Sequence, residues 1–313
     1  MNWQVADRDA QRLMANRAEL AERIGAALPA DGVIQPLEGV FLARASVPLQ
    51  KLHSVLKPSL CLIAQGSKMV LLGDHRYPYD PDHYLIATLE LPRISYVLEA
   101  SPEVPYLSFR LELDPALVNE LMLEAGKAAP PPQPASGVIA MDVSPLDVDL
   151  QDAVLRLVRL VEAPEQAGVF LPLVKREIIH RLLMGSQGSR LRHMASQNGF
   201  SPVISRVIER IRENLEQPLG IEDLAREVGM SVSGLHHHFK TATAMSPMQY
   251  QKQLRLQEAR RMMLRDNLDA ASTAYRLGFH DAAHFSREYK SLFGEPPMRD
   301  MQRLREAAQT RAE

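Results

Sequence analysis

Two spacings of apolar residues divide the chain. Between about 33 and 113 the apolar side chains gather in short runs, LCLIAQ, KMVLLG, HYLIAT, ISYVLEA and YLSFRLEL. Turn-rich segments such as GDHRYPYDPDH and EASPEVP separate them. Short strands at this spacing predict an antiparallel barrel or sandwich, not a parallel sheet with crossover helices. From 202 onward apolar residues recur every three or four positions, the helical period. Ile204, Ile208, Ile211 and Leu215 predict one amphipathic helix there, broken at Pro218–Leu219–Gly220. Another is predicted ahead of the strands, over 5–28. Asp114–Pro115 has the form of a helix start and Gly126 that of its stop.

Between these regions the pattern is mixed. KAAPPPQPAS at 127–136 predicts a stiff connection. Two helices follow. In the first, Leu150, Val154, Leu157, Val158 and Val161 form a stripe, with Leu155 and Leu160 off it. In the second, about 172–184, Val174, Ile178, Ile179, Leu182 and Leu183 cover more than one face. A helix apolar around much of its circumference has two things to pack against. The second of them is either more of the same domain or another subunit. The polar stretch SQGSRLRHMASQNG, 186–199, is predicted as the interdomain linker.

The last third writes one motif twice. LAREVGMSVSGLHHHFK is followed about fifty residues later by TAYRLGFHDAAHFSREYK. Ser231, Leu235 and Phe239 correspond to Asp281, Phe285 and Tyr289, with Lys240 and Lys290 one residue further on. Ser and Asp are good N-caps, and apolar residues four and eight positions after the cap place one stripe inward. A turn glycine (Gly229, Gly278) and a small residue where helices can cross (Ala225, Ala274) precede each cap. Ser246–Pro247 caps a connecting helix running to about Arg265. At 1.5 Å per residue its roughly 19 residues span about 28 Å, close to the ~34 Å between successive major grooves. The predicted units are 221–241 and 270–293. Their outward residues are Ser233, Gly234, His236, His237 and Lys240, and then Ala283, His284, Ser286, Arg287 and Lys290. Arg287 suits bidentate guanine contact, and the two lysines suit phosphates. The run His236–His237–His238 lacks the i, i+4 spacing of helical metal ligands, so no metal is assigned there.

Charge changes this picture little. The chain carries 36 basic and 38 acidic residues, of which 17 and 15 fall in 201–313. DNA contact would therefore depend on placed charges rather than a polycationic tail. One cysteine leaves no intramolecular disulfide framework. No run reaches the roughly 18 apolar residues of a membrane span, and the N-terminus does not look like a signal peptide. A cytoplasmic protein is expected.

The C-terminal segments LRLQEARRMML (254–264) and LGFHDAAHFSREYKSLFGEPPMR (277–299) resemble the AraC/XylS family of bacterial transcription regulators. Ala282–Ala283 departs from that family's pattern, where many members carry a polar side chain. PSLCLIAQGSKMVLLGD (58–74), YDPDHYLIATLELP (79–92) and ASPEVPYLSFRLELDPALVNEL (100–121) are similar to the cupin-like domain of one branch of the family. The resemblance implies an α+β chain with a cupin-like β-barrel and helices at 1–195 for effector sensing and dimerisation. It implies an all-α double helix-turn-helix domain for DNA binding at 201–310. The expected partners are double-stranded promoter DNA, RNA polymerase, a small-molecule effector and a second copy of the chain. No cofactor, no metal and no membrane partner are expected.

Cys61 is the candidate effector or redox residue, with Leu60 and Leu62 predicted on the opposite strand face and Ile63 on the same face as Cys61. It is either a small core residue or a thiol lining the barrel. His53, His75 and His83 are scattered singly, without the clustered ligands of a cupin metalloenzyme, so an enzyme is not expected.

Overall fold

The computed structural model describes residues 3–125, 139–195 and 200–310. The Gly126 stop and the connection at 127–136 lie outside them. Two compact units part near residue 202.

The first unit opens with α1 (Trp3–Ala27). Nine strands follow, β1 (Gly32–Leu37), β2 (Val40–Ala45), β3 (Leu49–Leu56), β4 (Ser59–Gln65), β5 (Ser67–Leu72), β6 (His75–Tyr79), β7 (His83–Ala87), β8 (Leu91–Glu99) and β9 (Tyr106–Glu112). Then come α2 (Pro115–Ala125), β10 (Met141–Pro145), α3 (Val148–Arg159), α4 (Pro164–Met184) and α5 (Gly188–Ala195). One sheet has the order β1-β2-β9-β4-β7-β10 and the other β3-β8-β5-β6. The pairings with residue registers, β1–β2, β2–β9, β4–β9, β4–β7, β7–β10, β5–β6 and β5–β8, are antiparallel.

Period-two alternation sorts these strands into two faces. Leu60, Leu62 and Ala64 of β4, with Leu107, Phe109 and Leu111 of β9, join one core with Leu20 and Ile24 of α1 and the inner stripes of α3 and α4. Each such aliphatic side chain contributes about 1.5–3 kcal/mol on burial, so the helices are fastened to one face of the larger sheet. Cys61, Ser108 and Arg110 alternate with these residues and face the other way, into the barrel.

One open alternative resolves here and two expectations change. Leu155 packs in the same core as Leu150, Val154, Leu157 and Val158, and Leu160 is buried too, so both flanks of α3 lie inside the unit. α4 begins at Pro164, not near 172, and Pro172 lies within it. A proline inside a helix removes one backbone donor, and the packing of Ile178, Ile179, Leu182 and Leu183 holds the helix together despite this. Finally, most of the polar stretch at 186–199 is no linker. Residues 188–195 form α5, with Leu191 and Met194 buried and the Arg192 guanidinium donating to the Leu183 carbonyl at 2.7 Å.

The second unit is helical throughout its described residues: α6 (Phe200–Glu213), α7 (Ile221–Glu227), α8 (Val232–Thr243), α9 (Pro247–Arg265), α10 (Ala270–Arg276), α11 (Ala282–Phe293) and α12 (Pro297–Thr310). Ile204, Val207, Ile208 and Ile211 bury one side of α6. α9 starts with a full capping box between Ser246 and Gln249 and runs 19 residues.

Candidate nucleic-acid interface and barrel interior

Each helix-turn-helix is built by three local devices. The first is the glycine turn: Gly229 and Gly278 adopt φ of 70° and 73°, a region that favours glycine. The second is the close crossing at Ala225 and Ala274, 2% and 0% exposed. The third is the cap. Ser231 accepts from the Gly234 backbone N–H, and Asp281 accepts from those of Ala283 and His284 at 2.9 and 3.0 Å. Those bonds, the larger influence, and the nearby Arg287 and His284 hold the Asp281 carboxyl below its usual range.

With the caps set, Leu235 and Phe239 of α8, and Phe285 and Tyr289 of α11, are fully buried. The residues expected to face DNA lie on the opposite side. Ser233, His237 and Lys240 are exposed, while Gly234 and His236 are half-buried. On α11, Ala283, His284, Arg287 and Lys290 are exposed and Ser286 is half-buried. Arg287 has 70% of its side chain in solvent and sits 3.9 Å from Asp281, an exposed pairing too weak to hold it back from a stronger acceptor. Lys240 and Lys290 have no ion-pair partner among the described residues. His284 lies 3.6 Å from Glu288, which also pairs with Lys252 at 2.8 Å. His238 is half-buried, and burial lowers its pKa, with His237 adding to the effect.

Cys61 is 7% exposed on the inner face of β4. Burial raises its pKa, against the opposing pull of Arg93, Lys68 and Arg110. The cations that the β4 sequence lacks thus arrive from β8, β5 and β9. They do not overcome burial, so the thiol is held protonated at neutral pH. Arg110 stacks its guanidinium on Phe41 at 3.7 Å and pairs with Glu112 at 3.0 Å. Lys68 lies 5.7 Å above the Tyr106 ring. Sequence reasoning passed over Arg93 and Arg110. Their signal was the alternation within LPRISYVLE and YLSFRLEL, which places each arginine on one definite strand face.

Among the described residues no group of three or more His, Cys, Asp or Glu side chains is arranged to hold a metal. No helix in them is long and apolar enough to cross a membrane.

Two family models match, one described as the AraC-type transcriptional regulator N-terminus over residues 36–190 and a helix-turn-helix domain over 224–303. The chain is 26% identical over 154 residues to the HTH-type transcriptional regulator ArgR of Pseudomonas aeruginosa, covering 49% of this chain and 46% of that protein. It is 29% identical over 163 residues to the HTH-type transcriptional activator RhaS of Salmonella schwarzengrund, covering 50% and 58%. It therefore spans about half the length of these curated relatives. A crystal structure of ToxT from Vibrio cholerae superposes with a TM-score of 0.54 at 10% identity, covering 85% of this chain and 98% of that one, a likeness of fold.

Proposed function

Because the chain belongs to the AraC/XylS family of transcriptional regulators, we propose that it binds double-stranded promoter DNA as a one-component regulator. In this reading α8 and α11 enter successive major grooves and a small molecule in the barrel modulates binding. The observation that carries it is the repetition: two capped helices, each with the same buried stripe and the same outward positions, joined to one 19-residue helix. A mobility shift with DNA from upstream of the chain's own gene tests it. Saturable binding that outcompetes random DNA by at least tenfold is expected, and equal affinity for random DNA would refute sequence-specific regulation.

The other parts of the proposal follow from the same reading. The regulator works in the cytoplasm, beside RNA polymerase, and the barrel binds a ligand without catalysis. Cys61 serves as a small core residue, and its protonated, buried thiol disfavours the electrophile sensor. The N-terminal half of α4 offers a dimer face, since Val169, Phe170 and Leu173 are 66%, 47% and 57% exposed. Exposed apolar side chains clustered on one helix mark an interaction surface more often than isolated ones do. Leu173→Glu is expected to turn a dimer into a monomer in sedimentation at micromolar concentration. A wild-type chain that sediments as a monomer there would count against the face.

A further inference from the structure

The barrel interior holds two cations, Lys68 and Arg93, that no carboxylate balances among the described residues. Strand register defines which residues face in. On the larger sheet Cys61 stands opposite Leu85 and Arg110, and Tyr106, Ser108 and Arg110 share that face of β9. On the smaller sheet Lys68 stands opposite Tyr79 and Val97. The field of Arg93, Lys68 and Arg110 converges on Cys61. Arg110 has a carboxylate beside it in Glu112, whereas Lys68 and Arg93 have none among the described residues. The Arg93 Nε is buried with no hydrogen-bond partner. A buried donor without an acceptor is a standing cost, which a bound acceptor removes.

Solvent also reaches these charged groups. The inward-facing Lys68, Arg93, Ser108 and Arg110 all keep partial exposure, while Leu62, Leu107, Phe109 and Leu111 on the outward face are buried. Apolar side chains flank the charged groups, Ile63, Leu85, Val70 and Val97, each 3% exposed or less.

We propose that the barrel interior holds an organic anion, a carboxylate or phosphate ester on a compact apolar body, with its charge between Lys68 and Arg93 and its body against Ile63, Leu85, Val70 and Val97. This rests on the reading of the barrel as the sensing domain and names the ligand class it takes. An arginine fork donates to two oxygens side by side and a lysine adds a point charge, the combination that suits either acid. A neutral ligand would leave both cations unbalanced.

Lys68 supplies an independent readout. Burial, and then the repulsion of Arg93, push its pKa down to about 7. The groups facing it are Arg93 from β8, Cys61 from β4, Arg110 and Tyr106 from β9, and Tyr79 from β6. Tyr79 and Tyr106 are themselves raised by burial, so they stay protonated. A bound anion favours charged Lys68. Anion affinity is therefore full below that pKa and falls as pH rises through it.

The test is calorimetric titration of the full chain with benzoate, phenyl phosphate and benzyl alcohol, one pH unit below and one above the Lys68 value. At least one anion is expected to bind saturably at the lower pH, with the alcohol about tenfold weaker or worse. The anion that binds more tightly identifies the acid. Affinity should fall several-fold at the higher pH. Lys68→Met should lose about tenfold, and Lys68→Arg should retain binding and lose the pH dependence. Arg93→Gln gives a second reading should Lys68→Met change the circular dichroism. Alcohol binding as tight as either anion, no saturable binding of either anion, or unchanged anion affinity in both Lys68→Met and Arg93→Gln would overturn the proposal. Promoter binding by the same preparation, measured without anion, separates the two claims. Intact DNA binding with no anion binding refutes only the ligand class, and the reverse refutes only the regulator.

Discussion

The two helix-turn-helix units share a backbone plan and differ in what holds the recognition helix to the helix after it. In the first unit Phe239 of α8 meets Tyr250 of α9 edge to face, with ring centroids 5.4 Å apart. Fifty residues on, the corresponding pair is Tyr289 and Asp300, and the Tyr289 hydroxyl donates to the carboxylate at 2.7 Å. Arg260 reaches the same carboxylate with two bonds, at 2.8 and 2.9 Å, and Arg303 adds another at 2.5 Å. One repeat thus uses aromatic packing where the other uses a fully buried carboxylate among two arginines and a phenol. Packing of this kind is indifferent to pH and tolerant of similar shapes. A buried ion cluster depends on every member, because removing one partner strands the others.

Breaking that cluster should give the largest effect. Asp300→Ala leaves Arg260, only 18% exposed, without its carboxylate, and is expected to cost about 3–5 kcal/mol. Calorimetry of the full chain should show the second unit melting earlier. The cluster also makes the second unit acid-sensitive. Burial alone would raise the Asp300 carboxyl, but hydrogen bonds from Arg260 and Tyr289, the Arg260 charge and a hydrogen bond from Arg303 hold it below 3.8. A group depressed in the folded state stabilises fully above its unfolded value and loses that contribution as pH falls through the folded one. The Asp300 contribution should therefore be constant from neutral pH down to about 4 and be lost below it. An acid transition unchanged in Asp300→Asn would refute this.

The glycine turns sharpen the contrast. A Cβ on Gly278 would sit 1.9 Å from the Glu216 carbonyl oxygen, whereas one on Gly229 would meet nothing within 4 Å. Gly229→Ala should therefore cost only the backbone strain of its positive φ, about 1–2 kcal/mol. Gly278→Ala adds a backbone clash to that strain, for a total of about 3 kcal/mol or more. Equal losses for the two would show that Glu216 can yield.

The repeat was legible because its determinants are local. Caps, turn glycines and apolar stripes each sit within a dozen residues, and Ser231, Asp281, Leu235 and Phe285 take the places their spacing predicts. Other features depend on distant partners. The helix at 188–195 is rich in polar residues, and what seats it is the carbonyl of Leu183 and the burial of Leu191. Pro172 imitates a helix start, because the packing that carries α4 through it comes from other elements. Arg93 and Arg110 could be assigned to a strand face from alternation. Which face points into the barrel is decided by α1 and α3 covering the other.

On DNA the asymmetry should keep its direction, with Arg287 in the second unit as the strongest base reader. Arg287→Ala is expected to cost about 1–3 kcal/mol on the specific site and to relax base preference there. Its loose contact with Asp281 adds little to folding, so the melting temperature should barely move. His237→Ala in the first unit should cost less, since imidazole lacks the two-pronged fit of guanidinium to guanine. Equal losses for Arg287→Ala on specific and random DNA would remove it as a reader.

The smallest expected effect is also the one on which the two units should agree. Lys240 and Lys290 hold equivalent positions on α8 and α11, both exposed and both without an ion-pair partner among the described residues. Among the described residues no carboxylate pairs with either ammonium, so each is available to a phosphate. Such contacts release condensed counterions, and their loss appears in the salt dependence of binding rather than in sequence preference. Lys240→Ala and Lys290→Ala should each lower the slope of log affinity against log salt by about one, on specific and random DNA alike. The double variant should lower it by about two, because the sites are far apart and independent. If the slope changed for one lysine and not the other, only that unit would be pressed against the backbone. The two helix-turn-helices would then be unequal in docking as well as in packing.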